Sequence, residues 1–423
     1  MKGILRVLPL TLGLILPPAF SGAPGDQTGS LRLEELLEQM LARNPDLLAA
    51  RKRWEAMQKR PGQAGALPDP TLRLGYTSVG SPLPGAGLGS APMASLGIGV
   101  AQGIPFPGKR GLRSAIAERE AESESFVYEA TRRNLINRMK RAFHELEFVH
   151  SALEILGRNR SLLGRLAQAA EFRYVAGTAM QQDLIKSQVE ISIIGTRILE
   201  VERRKGILAA EINALLDRDV DAPLGRPGSP DEPPPLPSPE YLKQRAVQTS
   251  PALRARKAMI DGRQLGSDLA RREYYPDFEV MGGYGNQGSM KDAWEFRVQL
   301  NLPLFFARKQ RLGLEESGAR LAEARKTYRA EEQRLQQGIR EAWLEAETAR
   351  RLMELYSKTI VPQATLALES SLASYGTGKV DFLSVLSNFT AVLEHEMNYH
   401  QNRARYLQAL AGLEELSGES LAG

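Results

Sequence analysis

The sequence predicts a mainly α-helical protein with a membrane β-barrel portion, built by an internal duplication. Three observations lead to this fold class. Apolar residues recur with coiled-coil spacing over long stretches, four short segments change to a period of two, and both halves of the chain present these parts in the same order. We therefore expect long antiparallel helical hairpins and four β-strands in each chain.

The N-terminal residues have the pattern of an export signal. Lys2 and Arg6 flank an uncharged apolar run, Val7–Leu16, and Ser21-Gly22-Ala23 supplies the small residues of a cleavage site. We expect residues 1–23 to be removed as a signal peptide; the alternative is a retained N-terminal anchor. The apolar run is shorter than the roughly 20 residues that a membrane-spanning helix needs, and no later segment has the composition of such a helix.

Composition narrows the class of protein further. The chain of 423 residues contains no cysteine, so an exported form has no disulfides and no cysteine that could carry a lipid. Its 55 basic and 50 acidic side chains give a net charge of only +5 and are interspersed along the chain. A nucleic-acid-binding protein would cluster its basic residues, so we expect no nucleic-acid partner.

The duplication divides the mature chain into a first repeat at 24–220, a linker at 221–238 and a second repeat at 239–418. The linker contains Pro-Gly-Ser-Pro and Pro-Pro-Pro-Leu-Pro, a proline density that favours an extended chain. Each repeat begins with a short helix that ends near Asn44-Pro45 or Ser250-Pro251. In both repeats there follows a second helix that stops near a Pro-Asp pair, and then two strands and a long helical hairpin.

The long helices of the two repeats keep one register. Their apolar residues follow alternating steps of three and four, the spacing of a coiled-coil seam. A seam alone would suit any long helical protein, but here the two seams match at a constant offset of 200 residues. The residues are Leu135, Met139, Ala142, Leu146, Val149, Leu153 and Leu156, with Leu335, Ile339, Ala342, Ala346, Ala349, Met353 and Tyr356.

These seams predict helical hairpins at about 109–216 and 308–416. The first outgoing helix, of about 65 residues, would be roughly 95–100 Å long if it stays continuous. Pro362 is expected to kink or interrupt its counterpart in the second repeat, because proline cannot donate the backbone hydrogen bond of a helix.

Strands are predicted at about 71–77, 95–104, 277–284 and 293–303. In the last, the apolar residues Trp294, Phe296, Val298 and Leu300 alternate with polar ones and are expected to face lipid. The alternative for each single strand is a soluble antiparallel sheet with one buried face. Export, and loops rich in glycine, proline and serine, favour the membrane.

Four strands cannot span a bilayer alone, because their open edges would leave backbone groups unpaired in lipid. Closed membrane barrels begin at about eight strands. Two chains would supply eight strands but too narrow a lumen for transport. Three chains would supply twelve, so the strand number favours a homotrimer.

Several motifs resemble the TolC-like outer-membrane efflux protein family over nearly all of the mature chain. They are Asn44-Pro-Asp-Leu, Leu67-Pro-Asp-Pro, Ile104-Pro-Phe-Pro-Gly-Lys-Arg, and the two turns that begin at Arg173 and Ser374. The resemblance implies a trimer with a twelve-stranded barrel in the outer membrane and an α-helical tunnel across the periplasm. It also implies a passive exit channel for a tripartite efflux or type I secretion system, with a periplasmic adaptor and an inner-membrane pump as partners.

The resemblance places the two turns, Tyr174–Asp183 and Tyr375–Ser384, at the periplasmic tip. Glycines there can adopt the positive φ that a reversal between helices needs. We expect Asp183 to form a ring of carboxylates at the constriction, with a helix N-terminal role as the alternative. Ser384 stands at the matching position of the second turn. The candidate tip and gate residues are Tyr174, Gly177, Asp183, Tyr375, Gly378, Lys379, Asp381 and Ser384.

Two stretches resemble the heavy-metal-efflux branch of that family: Gly177-Thr-Ala-Met-Gln-Gln-Asp and Lys379-Val-Asp-Phe-Leu. This would make heavy-metal cations the cargo. The rival hypothesis is a periplasmic adaptor or a structural coiled-coil protein, which would also be exported, helical and free of cysteine. The four amphipathic strands inserted between the helices favour the channel.

The sequence motifs that resemble those of enzymes lack the spacing or the residues that the chemistry needs. His395 and His400 flank a segment that invites comparison with zinc proteases, whose metal-binding histidines lie four apart. Here they are five apart, which separates them by about 140° around a helix. Gly85-Ala-Gly-Leu-Gly lacks the Lys-Ser/Thr of a phosphate loop, and no Ser/His/Asp constellation can be singled out. We therefore expect no enzymatic activity, no cofactor and no metal site.

Overall fold

The computed structural model describes residues 31–228 and 233–421. The predicted signal peptide, residues 1–23, lies outside the described residues. The helices of the first copy are α1 (Leu33–Arg43), α2 (Pro45–Met57), α3 (Arg60–Gly65), α4 (Lys109–Val175) and α5 (Gln181–Leu215). Those of the second copy are α6 (Pro239–Thr249), α7 (Pro251–Arg272), α8 (Gln310–Leu355), α9 (Val361–Gly376) and α10 (Phe382–Ser417). The strands are β1 (Thr71–Thr77), β2 (Ser95–Ile104), β3 (Asp277–Asn286) and β4 (Ala293–Asn301).

Both copies use the same chemistry where their second helix begins. Asn44 Oδ1 accepts a hydrogen bond from Leu47 N at 3.1 Å and caps α2, while Ser250 Oγ accepts one from Leu253 N at 3.4 Å and caps α7. Proline follows each cap, at a position where a helix does not need the missing N–H. The shared start supports the duplication.

The four strands form one antiparallel sheet in the order β1-β2-β3-β4. Its centre joins the two copies, because β2 of the first copy pairs with β3 of the second, with Ile98 opposite Tyr284. β3 continues two residues beyond the predicted segment, and β4 ends at Asn301, two residues before Pro303. Proline cannot donate to a strand ladder, which accounts for the early end.

The long helices carry the rest of the molecule. α4 has 67 residues and spans about 100 Å. Near the sheet it packs against α7, with Ser123 Oγ donating to Ala255 O at 3.2 Å; towards its far end it packs against α5, its own return. None of the helices in the described part of the chain is long and apolar enough to cross a membrane.

The interruption expected at Pro362 takes the form of a π turn, Tyr356–Ile360, between α8 and α9. Val361 N donates to Tyr356 O, five residues back, and Pro362 then occupies the first turn of α9, where no intrahelical donor is needed. The proline therefore interrupts the hydrogen-bond pattern without separating the two helices.

The core lies mainly between helices, and in the sheet Ala101 and Met281 are buried. The predicted seam is largely buried: Leu135, Met139 and Leu146 are at most 2% exposed, and Leu335 and Ile339 are also buried. A second cluster gathers the tip halves of α4, α5, α9 and α10 around side chains such as Phe382 and Phe389. Each such side chain contributes roughly 1.5–3 kcal/mol through its burial. The fold class predicted from the sequence is confirmed: a mainly helical chain of two copies with four strands.

Candidate functional site

Each helical hairpin ends in the same turn, at the end of the molecule far from the sheet. Gly177 and Gly378 both have φ of +73°, the left-handed conformation that glycine adopts without steric cost. Backbone N–H groups after each helix bond back to its last carbonyls in the pattern of a Schellman motif. The bonds are Gly177 N to Tyr174 O at 2.9 Å and Thr178 N to Arg173 O at 2.8 Å, with Gly378 N to Tyr375 O and Lys379 N to Ser374 O both at 3.0 Å.

A contact between copies joins the two turns. The Arg173 guanidinium carbon lies 4.4 Å from the centroid of the Tyr375 ring, and Arg173 Nη1 donates to Tyr375 O at 2.6 Å. Tyr375 is only 8% exposed and packs edge-on against Phe382, with ring centroids 5.8 Å apart. The sequence indicated Tyr375 but not the role of Arg173; the available signal was a basic residue in the last turn of α4, where Ser374 stands in the second copy.

The electrostatics at this contact keep Tyr375 neutral. Burial raises the pKa of its hydroxyl, the Asp183 carboxylate also raises it, and the Arg173 guanidinium acts in the opposite direction. The hydroxyl oxygen is buried and has no hydrogen-bond partner among the residues that the structure describes. The Asp183 carboxylate of the first copy thus acts on the pKa of the tyrosine of the second.

Asp183 and Asp381 stand differently at the starts of their helices. Asp183 lies half-buried in the first turn of α5, whose N-cap residue, Met180, provides no side-chain hydrogen bond. Asp381 is itself the N-cap of α10, and its Oδ1 accepts from Ser384 N at 3.1 Å. Hydrogen bonds from Ser384 lower the pKa of Asp381. In the second turn the Asp381 carboxylate thus caps a helix, whereas in the first turn Asp183 is not the N-cap residue of its helix.

The first turn also exposes large apolar side chains where the second turn has small or polar residues. Phe172, Val175 and Met180 are 78%, 80% and 72% exposed. The matching positions of the second turn, 201 residues later, are Ala373, Gly376 and Asp381. Exposed apolar groups gathered in this way mark a contact surface. The sequence alone did not single out these three residues.

The sheet has one apolar and one charged face, and both are exposed. Trp294, Phe296, Val298 and Leu300 are 82%, 75%, 49% and 48% exposed. On the opposite face Arg73 binds Glu279, with Nη2 and Oε1 3.1 Å apart, and Arg297 pairs with Glu295. A soluble antiparallel sheet buries its apolar face against a core. This sheet presents that face outward, as the wall of a membrane barrel does.

A buried lysine connects the sheet to the helices. Lys109, the first residue of α4, is 1% exposed, and its Nζ donates to Glu273 Oε2 at 3.1 Å, Tyr275 O at 3.0 Å and Asp277 Oδ1 at 3.0 Å. The same Asp277 oxygen accepts from Phe106 N at 2.7 Å. The motif residues after β2 are thereby fixed to the start of β3 and the residues before it, across the two copies. We call this arrangement the Lys109 junction.

Comparisons with known proteins agree with this architecture. A family model described as the outer membrane efflux protein matches residues 36–213 and 242–419, one segment in each copy. The cobalt-zinc-cadmium resistance protein CzcC of Cupriavidus metallidurans is 25% identical over 402 residues, which cover 94% of this chain and 90% of that protein.

Solved structures share the fold at low sequence identity. The outer membrane protein VceC of Vibrio cholerae superposes with a TM-score of 0.78 at 18% identity, covering 92% of this chain and 96% of that one. The MtrE outer membrane channel of Neisseria gonorrhoeae, in its open state, gives a TM-score of 0.76 at 18% identity, covering 92% and 89%. The family model matches both copies, which favours the channel over the periplasmic adaptor or structural coiled-coil protein. The chain belongs to the outer membrane efflux protein family and is an efflux channel.

Proposed function

We propose that three copies of this chain form a passive duct that begins as a twelve-stranded barrel in the outer membrane and continues as a helical tunnel through the periplasm. The observation that carries the proposal is the four-stranded sheet with an exposed apolar face and two unpaired edges. Such edges are unpaired backbone in lipid unless further copies close the sheet. The chain has no cysteine, so the channel is held by its barrel and not by a lipid anchor.

The tips of the hairpins are the proposed site of contact with a periplasmic adaptor, which would connect the duct to an energised pump in the inner membrane. Support comes from Phe172, Val175 and Met180, whose apolar surface has no cover within the described protomer. Asp183 and Tyr375, with the other candidate tip residues, would form the gate. Opening would be a shift between two packings of the same helices.

Heavy-metal cations are the proposed cargo. The support is the relative CzcC, whose name records resistance to cobalt, zinc and cadmium. The charged face of the sheet, with Arg73, Glu279, Glu295 and Arg297, would keep the barrel lumen hydrated without binding the cargo. The protein would act as a conduit and not as an enzyme.

A deletion strain tests location, assembly and cargo together. The chain, expressed in its own host, should fractionate with the outer membrane as a trimer and should restore growth in cobalt, zinc or cadmium. Recovery as a soluble periplasmic monomer would overturn the channel. Restored resistance to organic drugs without any effect on metals would overturn the cargo and leave the channel in place.

A further inference from the structure

The residues of the Lys109 junction have counterparts in the other halves of the two repeats, at the outer edges of the sheet. Within the described part of one protomer these counterparts do not form a junction. The strand that follows the junction residues in the second copy, β3, corresponds to β1, since Pro276-Asp277 matches Pro68-Asp69 at an offset of 208 residues. The strand that leads into it, β2, corresponds to β4, since Ile104-Pro105 matches Leu302-Pro303 at an offset of 198 residues. β2 and β3 are paired inside the protomer, whereas β1 and β4 are the edges.

Every residue of both edge strands is exposed, whereas β2 and β3 contain half-buried and buried residues beside exposed ones. The edges therefore provide the strand surface that a second copy of this chain would cover. Applying the observed pairing of β2 with β3 to their counterparts gives a definite register between β4 of one protomer and β1 of the next.

The resulting register is chemically consistent. The observed pair Val100–Gly282 becomes Val298 opposite Leu74, and Ile98–Tyr284 becomes Phe296 opposite Tyr76. Gln102–Val280 likewise becomes Leu300 opposite Leu72, so apolar side chains meet in three successive pairs on this face, and Trp294 at the end of the strand lies opposite Ser78. A slip of one residue would place the polar residues of one strand beside the apolar face of the other, because strand side chains alternate between faces.

The charges of the junction are repeated as well. Asp69 corresponds to Asp277, and Lys309 corresponds to Lys109 at the offset of 200 that the long helices keep. Asp69 and Lys309 are exposed, and neither has an ion-pair partner within the described protomer. Two additional residues separate Pro303 from Lys309 compared with Pro105 and Lys109, which gives the second lysine a longer reach.

We propose that β4 of each protomer pairs with β1 of the next with Val298 opposite Leu74, and that Lys309 binds Asp69 of that next protomer, so that the Lys109 junction is repeated between subunits. This inference rests on the proposed trimer and adds its register and its ion pair. Glu273 has Gly65 as its counterpart, so the junction between subunits has one carboxylate where the internal one has two.

Cysteine cross-linking tests the register cleanly, because the natural chain has no cysteine. Directly opposed residues have Cβ atoms about 4.5–5.5 Å apart, and residues offset by two are about 7–8 Å apart, beyond easy disulfide formation. The test pair is Val298→Cys with Leu74→Cys, and the matched control is Val298→Cys with Leu72→Cys. Thr71→Cys with Asn301→Cys is a second test pair on the other face, should the first disturb assembly.

After mild oxidation in outer-membrane preparations, both test pairs should give covalent dimers and trimers, and the control should remain largely monomeric in denaturing gels. Ile98→Cys with Tyr284→Cys, opposed within one protomer, should lose its reactive thiols without a change in mass. Cross-linking of the control in place of the test pairs, in a chain that still assembles as a trimer, would overturn the register alone. Absence of a trimer in the unmodified chain would overturn the channel proposal itself.

A charge exchange tests the ion pair. Lys309→Glu and Asp69→Lys should each reduce the trimer fraction at a fixed temperature, by up to roughly fivefold for a partly exposed pair, and the double variant should restore it. Lys291→Glu, a change of the same kind at an exposed loop lysine, is the control and should leave the trimer unchanged. Single variants that behave as this control, or a double variant no better than the worse single one, would overturn the ion pair.

Discussion

Arg173 of the first copy covers the ring of Tyr375 in the second, with its guanidinium carbon 4.4 Å from the ring centroid and its Nη1 2.6 Å from the Tyr375 carbonyl oxygen. One side chain therefore holds together two hairpin tips that lie 202 residues apart in the chain. A hydrogen bond from a charged donor is worth about 1.5–3 kcal/mol, and a cation–π contact adds about 0.5–2 kcal/mol.

Replacing Arg173 by alanine is expected to loosen the tips and raise single-channel conductance in planar bilayers. Arg165→Ala, at an exposed arginine further up the same helix, should leave conductance unchanged. Tyr375→Phe should also have little effect, because the hydroxyl oxygen has no hydrogen-bond partner within the described protomer. If Tyr375→Phe opens the channel as far as Arg173→Ala does, then the hydroxyl, and not the ring, holds the tips.

Asp183→Ala separates two roles of this carboxylate. As a gate residue, it would change single-channel conductance or block by cations while trimer yield stays the same. As a residue that only favours the start of α5, its loss would lower stability by about 0.3–1 kcal/mol and leave conductance as it was. Asp183→Asn keeps the size and removes the charge. Unaltered conductance and cation sensitivity in both well-assembled variants would remove Asp183 from the gate.

The two faces of β4 should differ in their tolerance of charge. Val298→Arg places a cation on the apolar face and should cost about 2–4 kcal/mol near the bilayer centre, so that little trimer reaches the outer membrane. Gln299→Arg places the same group on the charged face, where it stays hydrated, and should assemble normally. The amount of heat-modifiable trimer in outer-membrane fractions measures both. Equal yields would show that the strands are not in a membrane.

The helical region should lose stability in mild acid through His400. Burial, and then the nearby Arg403, lower the pKa of this imidazole, and Glu396 only partly opposes them. The folded chain therefore holds His400 neutral, and protonation favours the unfolded chain. Stability is complete above the ordinary histidine pKa and falls as pH drops below about 6.5. Thermal melting of the purified trimer between pH 7.5 and 5 should show this fall, and His400→Gln should reduce it; an identical pH profile for the variant would contradict the assignment.

The features that could be predicted from the sequence are those with a local pattern. The seam through Leu135 and Leu335, the period of two in β4 and the glycine turns at the tips all repeat within a few residues. The contact between Arg173 and Tyr375 and the ion pair between Lys109 and Asp277 could not be predicted from such local patterns. Each joins residues more than 160 positions apart, and neither partner's neighbours reveal which distant residue it will meet.

The π turn at Tyr356–Ile360 explains a small inconsistency between the two copies. Their long helices match at an offset of 200 residues as far as Leu156 and Tyr356, but their tips, Gly177 and Gly378, match at 201. The second copy therefore contains one inserted residue between seam and tip. In an ordinary α-helix, one inserted residue would shift the rest of the helix by about 1.5 Å along its axis and rotate it by about 100°. The wider turn absorbs this residue locally, so both hairpins reach the end of the tunnel level with each other and with their tyrosines in matching turns.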